Sequence, residues 1–569
     1  MSNLLKILQK TNRQQSVEAD CSQNLIHIKT KYNSLFFIVA IALLAPLLTA
    51  CSDTKKENQE TSQFVIGIAA EPERLDPLTM KNPKTFILSW QIYEGLLGLD
   101  DEGLIAPRLA EKWETEDFKT WTFHLRENVY FQSSEIFDNS ENTRKMTAED
   151  ALSTYTDYCS ADAYSSFLLT DSIKGCADYN AGKADSVEGL QVIDEHTFQI
   201  TLLKPEPFFL NRLTTAWIAI FPKEARSAAH KESWGLQTAV GTGPYRLESK
   251  TDSEIILVRN EKYWDKSRQP AIGKLIFRVI KNNQIRLAEL NKGTIDLMVV
   301  PNTLFPTILN QDGSVKEEYK KDFQTEVYTT YNSNMIGFNL TSMTDVHLRR
   351  AMNYGTNREL IVKKLLFGHA DVTGGTVPPG IRGYVPPFKE DALFDPVLAK
   401  KELQNSKYDG EEIEMLVHEV ANSEQVGEIF QSQMKDLGVN IKLTKMDYNS
   451  VIGRMIKGDA PMFGMFFDYV FSSPEPILLN LFTSAKRPVP NFMQYSNVKV
   501  DKAIEDLRRI GDSTEANKQC AAIEAEIMEE VPAIFLYREK YLTLYSKKFS
   551  GLSINQHGHF QFELVKSVQ

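Results

Sequence analysis

Basic charge is in short supply in this chain of 569 residues: 75 acidic residues outnumber 64 Lys and Arg, for a net charge of −11. A nucleic-acid partner calls for a basic stripe that answers phosphates, and none is present. A Walker-type glycine loop, a His-Glu-x-x-His pair and a Cys-x-x-Cys pair are also missing. Nucleotide hydrolysis and a zinc site therefore have no motif to rest on, and no cofactor is expected. No nucleophile stands with a base beside it, which argues against an enzyme. What is present is 42% hydrophobic and 24% charged residues, enough to bury a large core and to divide it among more than one lobe.

Lys29 and Lys31 precede an uncharged apolar run from Leu35 to Leu48, followed by Thr49, Ala50 and Cys51. A charged region, a hydrophobic region and a small-residue cleavage site in that order make an export signal. The run falls short of the roughly 18 residues that span a bilayer. The four residues ending at Cys51 resemble the bacterial lipobox, which implies lipidation of Cys51 and a membrane anchor outside the cytoplasm. Ser52 to Gln63 reads as a polar tether, and residues 1–30 receive no function. An oxidising envelope permits disulfides. Cys159 and Cys176 would close a short loop worth up to about 3 kcal/mol, the alternative being two separately buried thiols, and Cys520 reads as a buried free thiol.

The stretch from Val240 to Asp265, VGTGPYRLESKTDSEIILVRNEKYWD, carries the most specific pattern. Gly241 and Gly243 allow a tight turn that Pro244 stiffens, and two apolar runs around a polar tip make a hairpin. As a string it resembles the solute-binding proteins of peptide-type ABC importers, the dipeptide- and oligopeptide-binding family, also called extracellular solute-binding proteins family 5. Other blocks are similar to that family in the same order: the loop from Glu71 to Pro77, Tyr93-Glu94-Gly95-Leu96, Pro107 to Trp113, the alternating strand from Trp121 to Arg126, Ser496 to Asp501 and Glu529 to Ile534. Each alone is a packing motif. Their collinearity, from about Phe64 to Leu564, is the signal.

The resemblance implies a two-lobed α/β periplasmic-binding-protein fold of class II, cluster C type, with an extra subdomain in the first lobe. The expected boundaries are 1–50 for the leader and signal, 51–63 for the tether, 64–92, 204–281 and 533–569 for lobe I, 93–203 for the subdomain and 282–532 for lobe II. Periodicity supplies local detail. Thr147 caps a helix, Thr356 to Glu359 read as a capping box, and Ile413 to Val417, Ser423 to Leu437 and Val439 to Leu443 form a βαβ unit with a parallel sheet.

The candidate site follows from topology. Met462 to Phe467 is a continuous apolar run, as in a strand covered on both faces, and Asp468 with Tyr469 stands at its carboxyl end. Ligands of open α/β sheets bind outside such ends. The block resembles the family's G-W-x-x-D-Y-x-x-P element, which implies that Asp468 holds the α-ammonium of a bound peptide. Met465 or Phe466 replaces the usual tryptophan and would form an adaptable apolar wall. The resemblance adds Lys81 and Pro83 beside Met80 as cleft wall, Tyr164 as a residue within reach of ligand, and a proline-rich loop over the cleft from Thr376 to Pro387. The strand lacks the arginine that in some members answers the peptide carboxylate, and Arg382 and Arg454 are the nearest basic alternatives.

The function implied is a lipid-anchored, extracytoplasmic solute-binding subunit, facing the periplasm or the exterior. It would be a monomer that captures short peptides and delivers them to a membrane permease, with ATP hydrolysed by a separate subunit. A non-peptide solute such as a metal chelate, haem or sugar on the same scaffold, and a surface sensor or adhesion lipoprotein with no transporter, are the other readings.

Overall fold

The computed structural model describes residues 62–80, 85–100, 103–377, 381, 393–420, 422–469, 473–511 and 513–568, with Asp468 and Ser513 placed by their backbones. Cys51 lies outside these residues, as does most of the loop from Thr376 to Pro387. Twelve strands share one sheet. In chain order they are β1 Gln63–Ile68, β2 Tyr245–Lys250, β3 Glu254–Arg259, β4 Lys274–Val279, β5 Leu297–Val300, β6 Phe323–Thr329, β7 Tyr331–Phe338, β8 Ala370–Val372, β9 Ile413–Val417, β10 Ile441–Lys445, β11 Met462–Tyr469 and β12 Ala533–Ser546. They pair in the order β2-β3-β4-β1-β5-β12-β7-β11-β9-β10, with β6 and β8 also pairing along β12.

β12 links the two lobes. Its 14 residues pair antiparallel with β7 at one end and with β5 and β6 at the other. Two buried apolar runs flank a half-buried waist at Glu539 to Tyr541. The side chains change core along the strand. The apolar side chains from Ala533 to Leu544 belong to two hydrophobic cores, and Tyr545 with the residues after it packs into another. That last core is built from residues 64–279, Leu297 and residues 545–565.

β1 lies parallel between β4 and β5, with Phe64 and Ile66 buried at alternate positions. β2 and β3 form the expected hairpin. The glycines ahead of it serve a purpose other than turning: neither Gly241 nor Gly243 has positive φ. A Cβ on Gly241 would meet the Ile92 carbonyl oxygen, and one on Gly243 would lie 2.6 Å from the Gln91 oxygen. These positions let two stretches of backbone touch, and Gly243 N–H donates to Ile92 O at 2.9 Å.

Between residues 110 and 201 a separate antiparallel sheet pairs Ala110–Glu114, Thr120–Leu125, Thr197–Thr201 and Leu190–Asp194 in that order. The helix Ala148–Tyr158 begins at Thr147 and ends at Cys159, which is disulfide-bonded to Cys176 with Cα atoms 5.2 Å apart. Cys520 is a buried free thiol.

In the second lobe β9, the helix Ser423–Leu437 and β10 form a parallel βαβ unit, stopped at Gly438 with φ of 100°. The capping-box expectation at Thr356 needs correction. The cap of the helix Arg358–Leu366 is Asn357, whose side-chain oxygen accepts from Leu360 N–H at 2.9 Å. Thr356 instead donates back to Met352 O at 2.7 Å, closing the preceding helix.

Candidate functional site

β11 is antiparallel to β7 and parallel to β9, so the carboxyl ends of β9 and β11 and the start of β7 share one sheet edge. The strand runs through Tyr469 rather than ending before Asp468. Asp468 pairs with Asn332 and Tyr469 with Tyr331. Asn332 is itself fixed. Its side-chain amide donates to Glu539 O at 3.2 Å and its carbonyl accepts from Glu539 N–H at 2.8 Å, locking β7 to β12 beside the Asp468 position.

At the end of β9, buried His418 donates from Nε2 to Gly464 O and accepts from Val420 N–H at Nδ1, both at 3.1 Å. Both nitrogens are satisfied only in the neutral ring, and burial pulls its pKa below the ordinary value. The ring meets Tyr448 edge-on at 5.1 Å. Tyr448 opens the helix Tyr448–Lys457. Burial raises its phenol pKa, and the neighbouring Tyr164 phenol raises it further. Tyr164 itself opens the short 3₁₀ turn Tyr164–Leu168, far from Tyr448 along the chain.

Tyr164 is 42% exposed and Phe167 52%. Both pack on Trp217, at 5.8 and 6.0 Å between ring centroids. The indole of Trp217 donates to Met80 O at 2.9 Å, and Tyr164 N–H to Leu78 O at 2.9 Å. The aromatic group is thus tied to the loop preceding Lys81 and Pro83, which themselves lie outside the described residues, as does Arg382. An exposed aromatic pair held rigid from behind supplies apolar contact area with little ordering cost.

The other expected residues are placed as follows. Met465 is buried in the third core cluster, while Phe466 is half-buried. Tyr469 stacks on Phe467 at 6.0 Å, and its buried hydroxyl has no hydrogen-bond partner among the described residues. Arg454 is held by Glu414 at 2.8 Å and Asp459 at 3.0 Å, so its charge is answered within the second lobe. Tyr448, His418 and Trp217 escaped the sequence reading. Their roles depend on neighbours far away in the chain, although Tyr448 directly follows the helix-capping Asp447.

Among the described residues no cluster of His, Cys, Asp and Glu could hold a metal ion, and no helix is long and apolar enough to cross a membrane. The family model for bacterial extracellular solute-binding proteins, family 5, matches residues 105–488. The chain belongs to this family. Its members are solute-binding proteins rather than enzymes, and the two-lobed architecture agrees with that of solved relatives. The periplasmic oligopeptide-binding protein OppA of Salmonella typhimurium is 25% identical over 532 residues, covering 88% of this chain and 92% of that protein. The probable deoxycholate-binding periplasmic protein YgiS of Escherichia coli is 25% identical over 541 residues, covering 92% and 96%. The solved structure of HbpA2 from Haemophilus parasuis superimposes with a TM-score of 0.76 at 23% identity, covering 89% of this chain and all of that one.

Proposed function

We propose that this protein is the lipid-anchored peptide-capturing subunit of an ABC importer. In this reading Cys51 carries the lipid, residues 93–203 form a subdomain of lobe I, residues 282–532 form lobe II, and the lobes close on ligand by a hinge. The observation that carries it is the exposed pair Tyr164 and Phe167, backed by Trp217, with Tyr164 close enough to act electrostatically on Tyr448, whose ring packs on His418 at the end of β9. In this reading the ligand rests on these rings, with Asp468 at the neighbouring strand end.

Asp468 holds the α-ammonium, Phe466 and Tyr469 line the wall with Met465 behind them, and Tyr164 closes from the other lobe. Lys81, Pro83 and Arg382 border the same cleft. The loaded protein docks on a permease, and a separate subunit hydrolyses ATP. Calorimetry with trialanine and N-acetyl-trialanine tests the ammonium role. Asp468→Asn is expected to weaken trialanine binding by roughly 10-fold or more and to leave the acetylated peptide nearly unchanged. Equal losses for the two peptides would remove the role.

The exposure of Tyr164 and Phe167 favours one second reading, an apolar non-peptide solute resting on these rings. Mass spectrometry of the ligand that copurifies separates the two.

A further inference from the structure

Ser62 is the first described residue, and Cys51 precedes it by 11 positions. A stretch of that length spans at most about 40 Å. A lipid at Cys51 therefore keeps the surface around Ser62 closer to a bilayer than the rest of the protein, and the charge of that surface decides how the two meet.

The surface is built by the amino ends of β1 and β4, which run parallel, and by the chain that follows β12. Gln63 pairs with Lys274, and Ser62 O accepts from Gly273 N–H at 3.0 Å and from Lys274 N–H at 3.1 Å. Ser62 Oγ donates to Ala271 O at 3.3 Å, just after the turn Lys266–Arg268. From the other side Phe549 meets Phe64 edge-on at 4.7 Å, which brings Lys547 and Lys548 to the same end. Phe549 and Ser550 pair with Ser567 and Lys566, so Lys566 joins them.

Five lysines thus surround the point where the chain enters the fold. Lys266, Lys547, Lys548 and Lys566 are exposed and Lys274 is half-buried. None of the five forms an ion pair among the described residues; Lys266 donates to Glu261 O at 3.2 Å and to Gln269 Oε1 at 3.4 Å. The acids nearby are mostly answered by other groups. Glu261 takes Arg259 at 2.8 Å, Glu563 takes Arg268 at 2.6 Å and Glu289 takes Lys292 at 2.9 Å. Asp265 accepts from Ser267 N–H at 3.0 Å, and buried Asp296 accepts from Val65 N–H at 2.9 Å. Asp322 is left without a cation, so the balance of unanswered charge here is positive.

That balance opposes the net charge of −11 carried by the whole chain. An anionic bilayer repels such a chain on most of its faces and attracts it on this one. The attraction acts within a screening length of about 8 Å at physiological salt, so it sets orientation at contact. Each lysine held at an anionic surface strengthens association by up to about 5-fold.

We propose that the lysine-rich surface around Ser62 is a membrane-docking face that rests on anionic phospholipid headgroups and orients the anchored protein. The inference rests on the lipid-anchor reading above for how the protein reaches the membrane. With the amino ends of β1 and β4 on the bilayer, their carboxyl ends, the side on which open α/β sheets bind ligands, point away from it.

The test uses the membrane-extracted protein reconstituted into vesicles of phosphatidylcholine alone or with about one third phosphatidylglycerol, each containing an acceptor dye on the headgroups. The donor dye is carried by Ser567→Cys, an exposed position beside Lys566, or by Val498→Cys in the helix Val498–Leu507. Cys520 is buried and Cys159 and Cys176 are bonded, so the dye goes to the new thiol. Energy transfer from Ser567→Cys is expected to rise with phosphatidylglycerol and to rise more than from Val498→Cys. The rise should vanish in about 1 M salt, where screening falls to about 3 Å, and when Lys274, Lys547, Lys548 and Lys566 are all replaced by Gln. Equal transfer on the two vesicle types overturns the proposal, as does an equal rise at the two labels or a rise that survives the four substitutions. If the protein does not remain with phosphatidylcholine vesicles, the anchor reading fails. Cosedimentation of the unlabelled protein then decides the face: binding at least about 10-fold stronger with phosphatidylglycerol supports it, and equal binding overturns it. The lipid and salt comparisons stand even if the four-lysine variant fails to fold.

Discussion

Replacing Arg508 with Met is the most informative perturbation of this fold. Arg508 follows the helix Val498–Leu507 and is 8% exposed. It donates to Glu206 at 2.7 Å and lies 3.0 Å from Glu475 through Nε. Glu206 also takes Arg212 at 3.2 Å and the Ser172 hydroxyl at 2.9 Å. Two carboxylates and two guanidiniums thus form a buried cluster joining residues 172–212 to residues 475–508. Exposed pairs flank it, Lys204 with Glu505 at 2.8 Å and Lys486 with Asp171 at 2.9 Å, each contributing about 0 to 1 kcal/mol.

Removing one partner of a buried ion pair costs about 3 to 5 kcal/mol, because the other charge stays buried and unanswered. Here Glu206 retains Arg212 and Ser172, whereas Glu475, whose pKa burial already raises with the arginines pulling the other way, loses its closest cation. The lower end, about 3 kcal/mol, is therefore expected, read as a lower guanidinium midpoint at unchanged slope. The cluster bridges segments assigned to opposite lobes, so the ligand-free variant should also show a larger radius of gyration by small-angle scattering. Replacing Glu206, Arg212, Glu475 and Arg508 together by apolar residues of similar size should restore most of the stability. A midpoint for Arg508→Met equal to that of the wild type would refute the reasoning.

Three further outcomes are expected. Burial pushes the Glu524 carboxyl from 4.5 up to about 7 despite donation from Val377 N–H at 2.8 Å and Thr376 Oγ1 at 3.0 Å. The native state then binds more protons than the unfolded one between those values, so stability should fall by about 3 kcal/mol as pH rises through that window; a Glu524→Gln protein with the same pH slope would contradict this. Replacing Cys159 and Cys176 by Ser opens a cross-link spanning 17 residues and should cost about 3 kcal/mol in urea unfolding, an unchanged midpoint being the adverse result. Gly241→Ala sets a methyl against the Ile92 carbonyl and 2.8 Å from the Tyr93 ring, for a loss of about 1 to 3 kcal/mol; a melting temperature equal to the wild type would mean that the contact yields freely.

Much of the scaffold was legible because its signals are local. Alternation gave the strand at Trp121, and helical spacing with a terminal glycine gave the helix Ser423–Leu437 and its βαβ unit. The apolar run of β11 reads as a covered strand because it lies between β7 and β9. The cap at residue 357 was misplaced by one position because threonine and asparagine are both good caps, and only the chain's path decides which carbonyl or N–H each side chain meets.

Order along the chain was set by sequence alone: a run of family motifs, and an acid at the end of an apolar strand. Tertiary structure decided what each motif is for. The glycines of GTGPY need no left-handed backbone, and they exclude side chains because the Gln91–Ile92 backbone lies against them. Glu94, one letter inside a packing motif, becomes a buried hub only because Thr242, Tyr263 and Trp264 donate to it from far along the chain. Such facts belong to contacts between residues more than a hundred positions apart, and no local pattern encodes them.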